Sequence, residues 1–270
     1  VSRFVLLNCG VRQGGVLSPH LFAIYIDDIV YKISRSNDSS KINLVCVSIF
    51  MYADDILLLS PSITLLQRLV NLVEAELTSL DMAINSAKSV CLRIGKRFDV
   101  SCSNIILSNG NVIPWATSCR YLGVYIQSYR TFKCLFDNAK KSLYRAFNAI
   151  YGKIGHCASL DVVFHLINAK CMPSLTFGLN ACPVNATERK SLDFSLFKIT
   201  AKVLGTVSNP IIKECRSAFG LEPMSQKIDK LKIKFIRRYA ASDNLICKIF
   251  AGSAADEITA IKLQQSVVRN

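Results

Sequence analysis

Two adjacent carboxylates, Asp54 and Asp55, interrupt an apolar stretch and are the residues of this sequence best suited to chemistry. The stretch spans residues 45–60 and has the sequence VCVSIFMYADDILLLS. Apolar residues lead up to Tyr52 and four aliphatic residues follow Asp55, which predicts two buried strands joined by a tight turn at the acidic pair. Neighbouring negative charges beside a core repel each other, and a bound cation relieves that repulsion. Mg²⁺ is the expected cation, because it binds one or two carboxylates together with substrate phosphates.

An ordinary acidic turn in a hydrophobic hairpin would have the same local sequence. Aspartate is common in turns, so the hairpin alone leaves both interpretations open. A turn without another role favours Asn-Gly or Asp-Gly, because those residues tolerate positive φ. The rest of the chain has to decide between the two interpretations.

A glycine-rich segment near the start of the chain is the second group of residues suited to ligand binding. Residues 10–19 have the sequence GVRQGGVLSP, and their glycines allow the backbone to approach a ligand closely. Arg12 and Gln13, which precede Gly14, supply hydrogen-bond donors for phosphates or base edges. A loop that enters a helix without binding anything is the alternative. The second acidic pair, Asp27-Asp28, lies on that helix and is predicted to be a solvated face.

The remaining pattern predicts an α+β chain with its strands in the first half. An amphipathic helix is expected from Ser62 to about Asp81, and Asn109-Gly110 indicates a hairpin turn. From about residue 131 the apolar residues recur at helical spacing. This spacing predicts helices over residues 132–154, 160–171, 188–204 and 226–239. The change near residue 130 divides the chain into two predicted domains, 1–129 and 130–270.

Positive charge is concentrated in the second half of the chain. Residues 1–130 carry 12 Lys/Arg and 9 Asp/Glu, whereas residues 131–270 carry 21 and 10. This asymmetry predicts a surface for a polyanion. The most basic segment is the predicted helix 226–239, whose cations suit a phosphate backbone, a partner or a membrane surface. Those cations are Lys227, Lys230, Lys234, Arg237 and Arg238.

The composition excludes several classes of protein. An apolar fraction of 51% excludes a disordered chain. The longest apolar run, around residues 42–53, is too short to cross a bilayer, so we expect no membrane partner. The eleven cysteines are scattered without a C-x-x-C pair, which argues against a disulfide framework and a zinc finger. We therefore expect a reducing compartment, the nucleus or the cytoplasm.

Four segments, taken in order, resemble the motifs of reverse transcriptases from non-LTR (LINE-type) retrotransposons. Residues 10–19 resemble motif B, and Tyr52-Ala53-Asp54-Asp55 resembles motif C. Residues 83–88 resemble motif D, and residues 121–124, with the sequence YLGV, resemble the primer-grip motif E. YADD alone is a weak match, but chance does not explain four motifs in the family order. The resemblance covers about residues 2–126, and the helical remainder is interpreted as the thumb by its position.

The resemblance implies nucleotidyl transfer supported by two Mg²⁺ ions, which hold the primer 3′-OH and the α-phosphate of the incoming dNTP. Asp54 would be a metal ligand, Asp55 a ligand or its support, and Lys88 a general acid facing the triphosphate. The remaining roles fall to three groups of residues. Template and nucleotide would be bound by Arg12, Gln13, Gly14, Tyr52 and Asn85, the primer by Tyr121, Leu122 and Gly123, and the duplex backbone by the five cations of residues 226–239.

The implied fold is an incomplete polymerase palm, an antiparallel sheet with covering helices, followed by an all-helical thumb. The implied partners are an RNA template, a DNA primer and dNTP. The fingers and motif A, which carries the other essential aspartate, are expected upstream of residue 1, often with an endonuclease on the same polypeptide. We therefore expect this chain to be a fragment that does not polymerise alone.

Two alternatives stay open. A group II intron maturase shares the YADD turn and the RQG loop. A non-catalytic nucleic-acid-binding remnant of a retrotransposon would keep the basic half without activity. The intact Asp54-Asp55 pair and the intact RQG loop argue against long decay.

Overall fold

The computed structural model describes residues 15–155 and 157–269, with side chains described as far as residue 263. The chain forms two compact units. Of the described residues, the first unit contains 15–91 and 101–115, and the second contains 92–100 and those from 116 onward. Three predicted site residues, Arg12, Gln13 and Gly14, lie outside the described residues.

The first unit combines two long helices with short antiparallel hairpins. Strands β1 and β2, β3 and β4, and β6 and β7 form three antiparallel pairs. Strands β5 and β8 lie where the chain passes between the two units. In chain order the elements are α1 (Ser18–Arg35), β1 (Lys41–Ile42), β2 (Val45–Cys46), β3 (Ile49–Tyr52), β4 (Asp55–Leu58), α2 (Ile63–Ser79), β5 (Cys91–Leu92), β6 (Ile105–Ile106), β7 (Val112–Ile113) and β8 (Trp115–Ala116).

Helix α2 forms as its sequence predicts. The Ser62 hydroxyl accepts a hydrogen bond from the backbone N–H of Leu65 at 3.2 Å, which caps the helix. A buried stripe on α2 packs against three buried isoleucines of α1 and against Ile49 of β3. This packing fixes the base of the β3–β4 hairpin to the helices. The residues of the two helices are Leu69, Val73 and Leu77 on α2 and Ile26, Ile29 and Ile33 on α1.

The hairpin turn predicted at Asn109-Gly110 is confirmed. Leu107 donates a backbone hydrogen bond to the carbonyl of Asn111 at 2.9 Å, and Gly110 has φ +80°. The predicted solvated pair on α1, Asp27-Asp28, is exposed. Among the described helices, none combines the length and the apolar character that crossing a membrane requires.

The second unit contains a three-stranded sheet together with the helices of the second half of the chain. The sheet is antiparallel in the order β9-β10-β11. Its core contains fully buried residues from several helices, among them Leu143, Phe164, Leu192 and Ile228. In chain order the elements are β9 (Ser118–Tyr121), β10 (Val124–Gln127), β11 (Lys133–Leu135), α3 (Asp137–Ile154), α4 (Leu160–Leu166), a π-helical turn (Ile167–Cys171), α5 (Met172–Thr176), α6 (Ala186–Leu204), α7 (Asn209–Ala218), α8 (Met224–Ala240), α9 (Leu245–Ile249) and α10 (Ala251–Arg269).

The helix predicted over residues 132–154 was wrong at its start, because it begins at Asp137. The preceding strand β11 pairs with β10 in the register Tyr125↔Leu135. Cys134 and Phe136 are buried while Lys133 and Leu135 are half-buried, which is the two-residue period of a strand. Residues 116–135 therefore belong to the same compact unit as the helices. A domain boundary near residue 130 remains a prediction.

Candidate functional site

The acidic pair lies at the tip of the β3–β4 hairpin. Tyr52 and Asp55 are the last paired residues of the ladder, so Ala53 and Asp54 form a two-residue turn. Ala53 has φ +53°, the conformation that a type II′ turn requires at its first central position. Glycine usually occupies that position, because a Cβ makes positive φ unfavourable. Backbone held in this region by a non-glycine residue is a feature that clusters at functional sites.

The tip of the hairpin is open to solvent, whereas its base is anchored. Asp54 and Asp55 are exposed, and Tyr52 is 65% exposed. At the base, the fully buried Ser48 accepts a hydrogen bond from the N–H of Ser40 at 2.6 Å and another on its carbonyl from Leu59 at 2.8 Å. The hairpin therefore presents two carboxylates on a fixed support.

The chemistry of the pair fits a hard divalent cation. Neither Asp54 nor Asp55 forms a salt bridge with another residue of the described chain. Within the described ranges, no group of three or more His, Cys, Asp or Glu side chains is arranged to hold a metal. Two carboxylates match the part of a Mg²⁺ site that protein supplies when substrate phosphates and water complete the coordination.

Asn85 and Lys88 belong to one loop of the same unit. The N–H of Lys88 donates to the side-chain oxygen of Asn85 at 3.2 Å and to its carbonyl at 3.1 Å. Both side chains are exposed. In the part of the chain that the structure describes, Lys88 forms no salt bridge with Asp54 or Asp55. The structure therefore shows which hydrogen bonds hold the loop. The role of Lys88 stays a prediction.

The predicted primer-holding residues form a second tight turn, between β9 and β10. Tyr121 pairs with Val124, so Leu122 and Gly123 are its two central residues. Their φ values are +45° and +82°, which is the type I′ pattern. Leu122 and Gly123 are exposed and Tyr121 is half-buried. The turn belongs to the second compact unit, whereas the acidic pair belongs to the first.

The basic helix α8 has a buried apolar face and an exposed cationic face. Met224, Ile228 and Ile236 are buried. On the other face four of the predicted cations are exposed and the fifth, Lys227, is half-buried. Lys230 forms a surface ion pair with Glu222, and this exposed pair neutralises the charge of Lys230 only in part. The exposed cations are Lys230, Lys234, Arg237 and Arg238.

Comparison with known families bears directly on both turns. The family described as "Reverse transcriptase (RNA-dependent DNA polymerase)" matches residues 2–126. That range contains the acidic turn of β3–β4 and the Leu122-Gly123 turn of β9–β10. This match assigns residues 2–126 to the reverse transcriptase family.

A relative from a retrotransposon is similar over nearly the whole chain. The relative is the retrovirus-related Pol polyprotein from type-1 retrotransposable element R2 of Popillia japonica, which is 24% identical over 272 residues. The alignment covers 95% of this chain and 37% of the relative, so the chain spans well under half of that protein. Both matches support a reverse transcriptase of the non-LTR type, which is the family that the four motifs resemble.

The structure shows two contacts in this chain that the sequence patterns did not predict. Arg189 of α6 binds Asp229 of α8 at 2.6 Å and donates to the carbonyl of Ser225, which ties the basic helix to α6. Phe177, which follows α5, contacts the Leu122-Gly123 turn. The Asn185–Glu188 capping box at the start of α6 has a recognisable sequence signature. No pattern in the sequence indicates the Phe177 contact, because it joins distant segments.

Proposed function

We propose that this chain supplies the motif C turn, the primer grip and the thumb of an RNA-directed DNA polymerase. The observation that carries the proposal is the Ala53-Asp54 turn, which presents two exposed carboxylates within the family-matched region. The proposed reaction forms a bond between the primer 3′ oxygen and the α-phosphorus of a dNTP. The bond from that phosphorus to the oxygen bridging to the β-phosphate breaks, pyrophosphate leaves, and the proton of the primer hydroxyl passes to water.

Asp54 and Asp55 are the proposed metal ligands. Mg²⁺, when bound, neutralises charge on the phosphates and makes the primer hydroxyl a better nucleophile. Asp54 extends from the turn itself and Asp55 from the first paired position after it, so one fixed hairpin holds both carboxylates. We infer that the motif A aspartate, the remaining ligand that the resemblance implies, is contributed by another part of the polypeptide.

The other predicted site residues among the first 91 are proposed to act on the template, the nucleotide or the primer end. Arg12, Gln13 and Gly14 are proposed to line the pocket for the template base and the dNTP. Tyr52 lies at the exposed end of β3, beside the acidic pair in the hairpin ladder, and is proposed to contact the primer end. Lys88, on the loop held by Asn85, is proposed to donate a proton to the departing pyrophosphate.

The second unit is proposed to hold the nucleic acid duplex. The Tyr121–Gly123 turn would contact the primer backbone. The exposed cations of α8 would contact phosphates of the RNA–DNA duplex, which is recognised by its shape and backbone. We infer that the template is RNA and that the full-length polypeptide carries fingers and an endonuclease.

The decisive experiment measures dNTP incorporation on an RNA template by the full-length polypeptide that carries this chain. Asp54→Ala is expected to abolish Mg²⁺-dependent extension of the primer. The matched control is Asp27→Ala with Asp28→Ala, an exposed acidic pair on α1 of the same unit. The control is expected to extend primers normally. Full extension by the Asp54→Ala variant would refute the proposal.

The 270-residue chain alone is expected to show no incorporation, because the motif A aspartate is missing from its ligand set. Primer extension by this chain that Asp54→Ala abolishes would show that its own residues complete the site.

A non-catalytic nucleic-acid-binding protein is the second candidate function. The observation that favours it is the net charge of the second half, which supports binding whether or not the acidic turn works. Salt-dependent binding of an RNA–DNA duplex by the full-length polypeptide, without Mg²⁺-dependent synthesis, would select this candidate.

A further inference from the structure

An aromatic side chain from a distant segment packs against Gly123 of the Leu122-Gly123 turn. A Cβ built on Gly123 would lie 2.7 Å from Cε1 of Phe177 and 3.2 Å from its Cζ. Real Cβ atoms do not approach carbon so closely. The Phe177 ring therefore rests directly on the backbone of Gly123, where only glycine leaves room for it.

A second glycine makes the same kind of contact in the opposite direction. Gly178, next to Phe177, makes room for Val124, next to Gly123. A Cβ on Gly178 would lie 2.7 Å from Cγ2 of Val124. Gly178 has φ +76° and Gly123 has φ +82°, so both glycines adopt the left-handed conformation. Two segments of the chain thus interlock at adjacent positions of each segment, and neither glycine tolerates a side chain without displacing its neighbour.

The backbone on both sides of Phe177 is held in the core. Leu175 and Leu179 are completely buried. The N–H of Phe177 donates to the carbonyl of Pro173 at 3.1 Å, and that of Leu179 to the carbonyl of Thr176 at 3.2 Å. Phe177 is nevertheless 61% exposed. One part of the ring covers the turn, and the rest is open to a ligand.

We propose that Phe177 is a primer-contacting residue that supports the Leu122-Gly123 turn and stacks on the last nucleotides of the primer strand. This inference rests on the proposed function, because it uses the assignment of that turn to the primer. An aromatic ring suits the task, since every base has a π-face and stacking tolerates any sequence. A polymerase that extends its own product needs such tolerance at the primer end.

The test uses the 270-residue chain and an RNA template annealed to a recessed DNA primer with 2-aminopurine at its 3′ end. The wild-type chain is expected to change the fluorescence of that base. Phe177→Ala is expected to remove the change and to weaken binding about tenfold, the scale of one lost base–aromatic stack. Phe177→Tyr is expected to restore both. With each variant at saturating concentration, a second substrate with 2-aminopurine inside the duplex is expected to respond equally with all variants.

The matched control is Phe194→Ala in the same unit. Phe194 is 54% exposed on α6 and stacks on Phe197, with Lys198 lying 4.9 Å over its ring. It is expected to behave as wild type. Phe177→Leu distinguishes the loss of the ring from a folding defect, because leucine keeps apolar packing on Gly123 and removes the ring. Its unfolding midpoint is expected to stay close to that of wild type while the terminal signal is lost.

The outcomes separate this inference from the function on which it rests. If the wild-type chain binds the duplex and both Phe177→Ala and Phe177→Leu keep the terminal signal, the inference is overturned and the proposed function stands. If the wild-type chain does not bind the duplex, the duplex-holding role of the second unit fails, and the inference fails with it.

Discussion

The carboxylate of Asp193 receives two hydrogen bonds from the guanidinium of Arg216, at 2.8 Å and 3.2 Å. The N–H of Met224 donates a third to the same carboxylate at 3.0 Å. Asp193 lies on α6, Arg216 on α7 and Met224 at the start of α8, so the pair joins three helices. The Arg216 side chain is only 10% exposed. This pair fixes the N-terminal end of the basic helix.

Replacing Asp193 should destabilise the second unit. Asp193→Asn leaves the buried guanidinium of Arg216 without a counter-charge, which costs several kcal/mol in a closed interior. Because the Asp193 side chain is 38% exposed, water screens the pair and we expect a loss of about 2 kcal/mol. Urea unfolding measures the change. Asp137→Asn breaks the exposed pair with Lys140 and should cost under about 0.5 kcal/mol. Equal losses in the two variants would contradict the prediction.

The Asp193–Arg216 pair should make the free energy of unfolding depend on pH in the acid range. Burial raises the pKa of Asp193, but the hydrogen bonds from Arg216 and from the Met224 N–H outweigh burial and hold that pKa below its ordinary value of 3.8. A lowered pKa stabilises the folded state above pH 3.8, and this contribution is lost as pH falls from there through the folded pKa.

Urea unfolding of wild type and Asp193→Asn across pH measures that loss. The difference in unfolding free energy between the two should be constant near neutral pH and should shrink below pH 3.8. A difference that stays constant into strong acid would show that Asp193 does not carry the effect.

Relaxing the acidic turn should raise stability and lower activity. Ala53 has φ +53°, which costs a non-glycine residue about 1–2 kcal/mol, while glycine loses about 0.5–1 kcal/mol through its freer unfolded chain. Ala53→Gly is therefore expected to stabilise the chain by about 0.5–1 kcal/mol in urea unfolding. In the full-length polypeptide it should slow dNTP incorporation, because a glycine turn holds the two carboxylates less firmly.

Leu44→Gly is the control for that prediction. Leu44 has φ +67° in the β1–β2 turn and is 93% exposed, so its removal relieves similar backbone strain without losing buried surface. It should stabilise the chain to a similar extent and leave incorporation unchanged. If Leu44→Gly also slows incorporation, then the slower incorporation of Ala53→Gly comes from a general change in the flexibility of the unit and not from the acidic turn.

The exposed cations of α8 should determine how duplex binding depends on salt. Each phosphate contact contributes a slope of about −0.9 to log K against log [salt] on a B-form duplex. Replacing Lys234, Arg237 and Arg238 by glutamine should therefore make the slope shallower by about 2–3. Filter binding of an RNA–DNA duplex at several salt concentrations measures it. Lys232→Gln is the control, because Lys232 is paired with Glu257 at 2.9 Å and is mostly buried. An unchanged slope in the triple variant would place the phosphate contacts elsewhere.

Local sequence predicted several elements well. The acidic hairpin, the Asn109-Gly110 turn and the α2 helix after Ser62 are confirmed. Each depends on residues within one or two turns of chain, namely a capping hydroxyl, a turn former or a stripe at helical spacing. Residues 133–135 were predicted as helix and form a strand, since pairing with β10 and burial of Cys134 outweigh local spacing.

By itself the sequence indicated the resemblance to non-LTR reverse transcriptases, the place of the acidic pair at a hairpin tip and the basic face of α8. Motif order, turn chemistry and helical periodicity all depend on near neighbours, so they are visible without coordinates. The tertiary structure alone decided that Arg216 binds Asp193, that Phe177 covers Gly123 and that β11 joins the helical unit. These contacts form only when distant segments pack together, and their geometry depends on the closed core rather than on any local pattern.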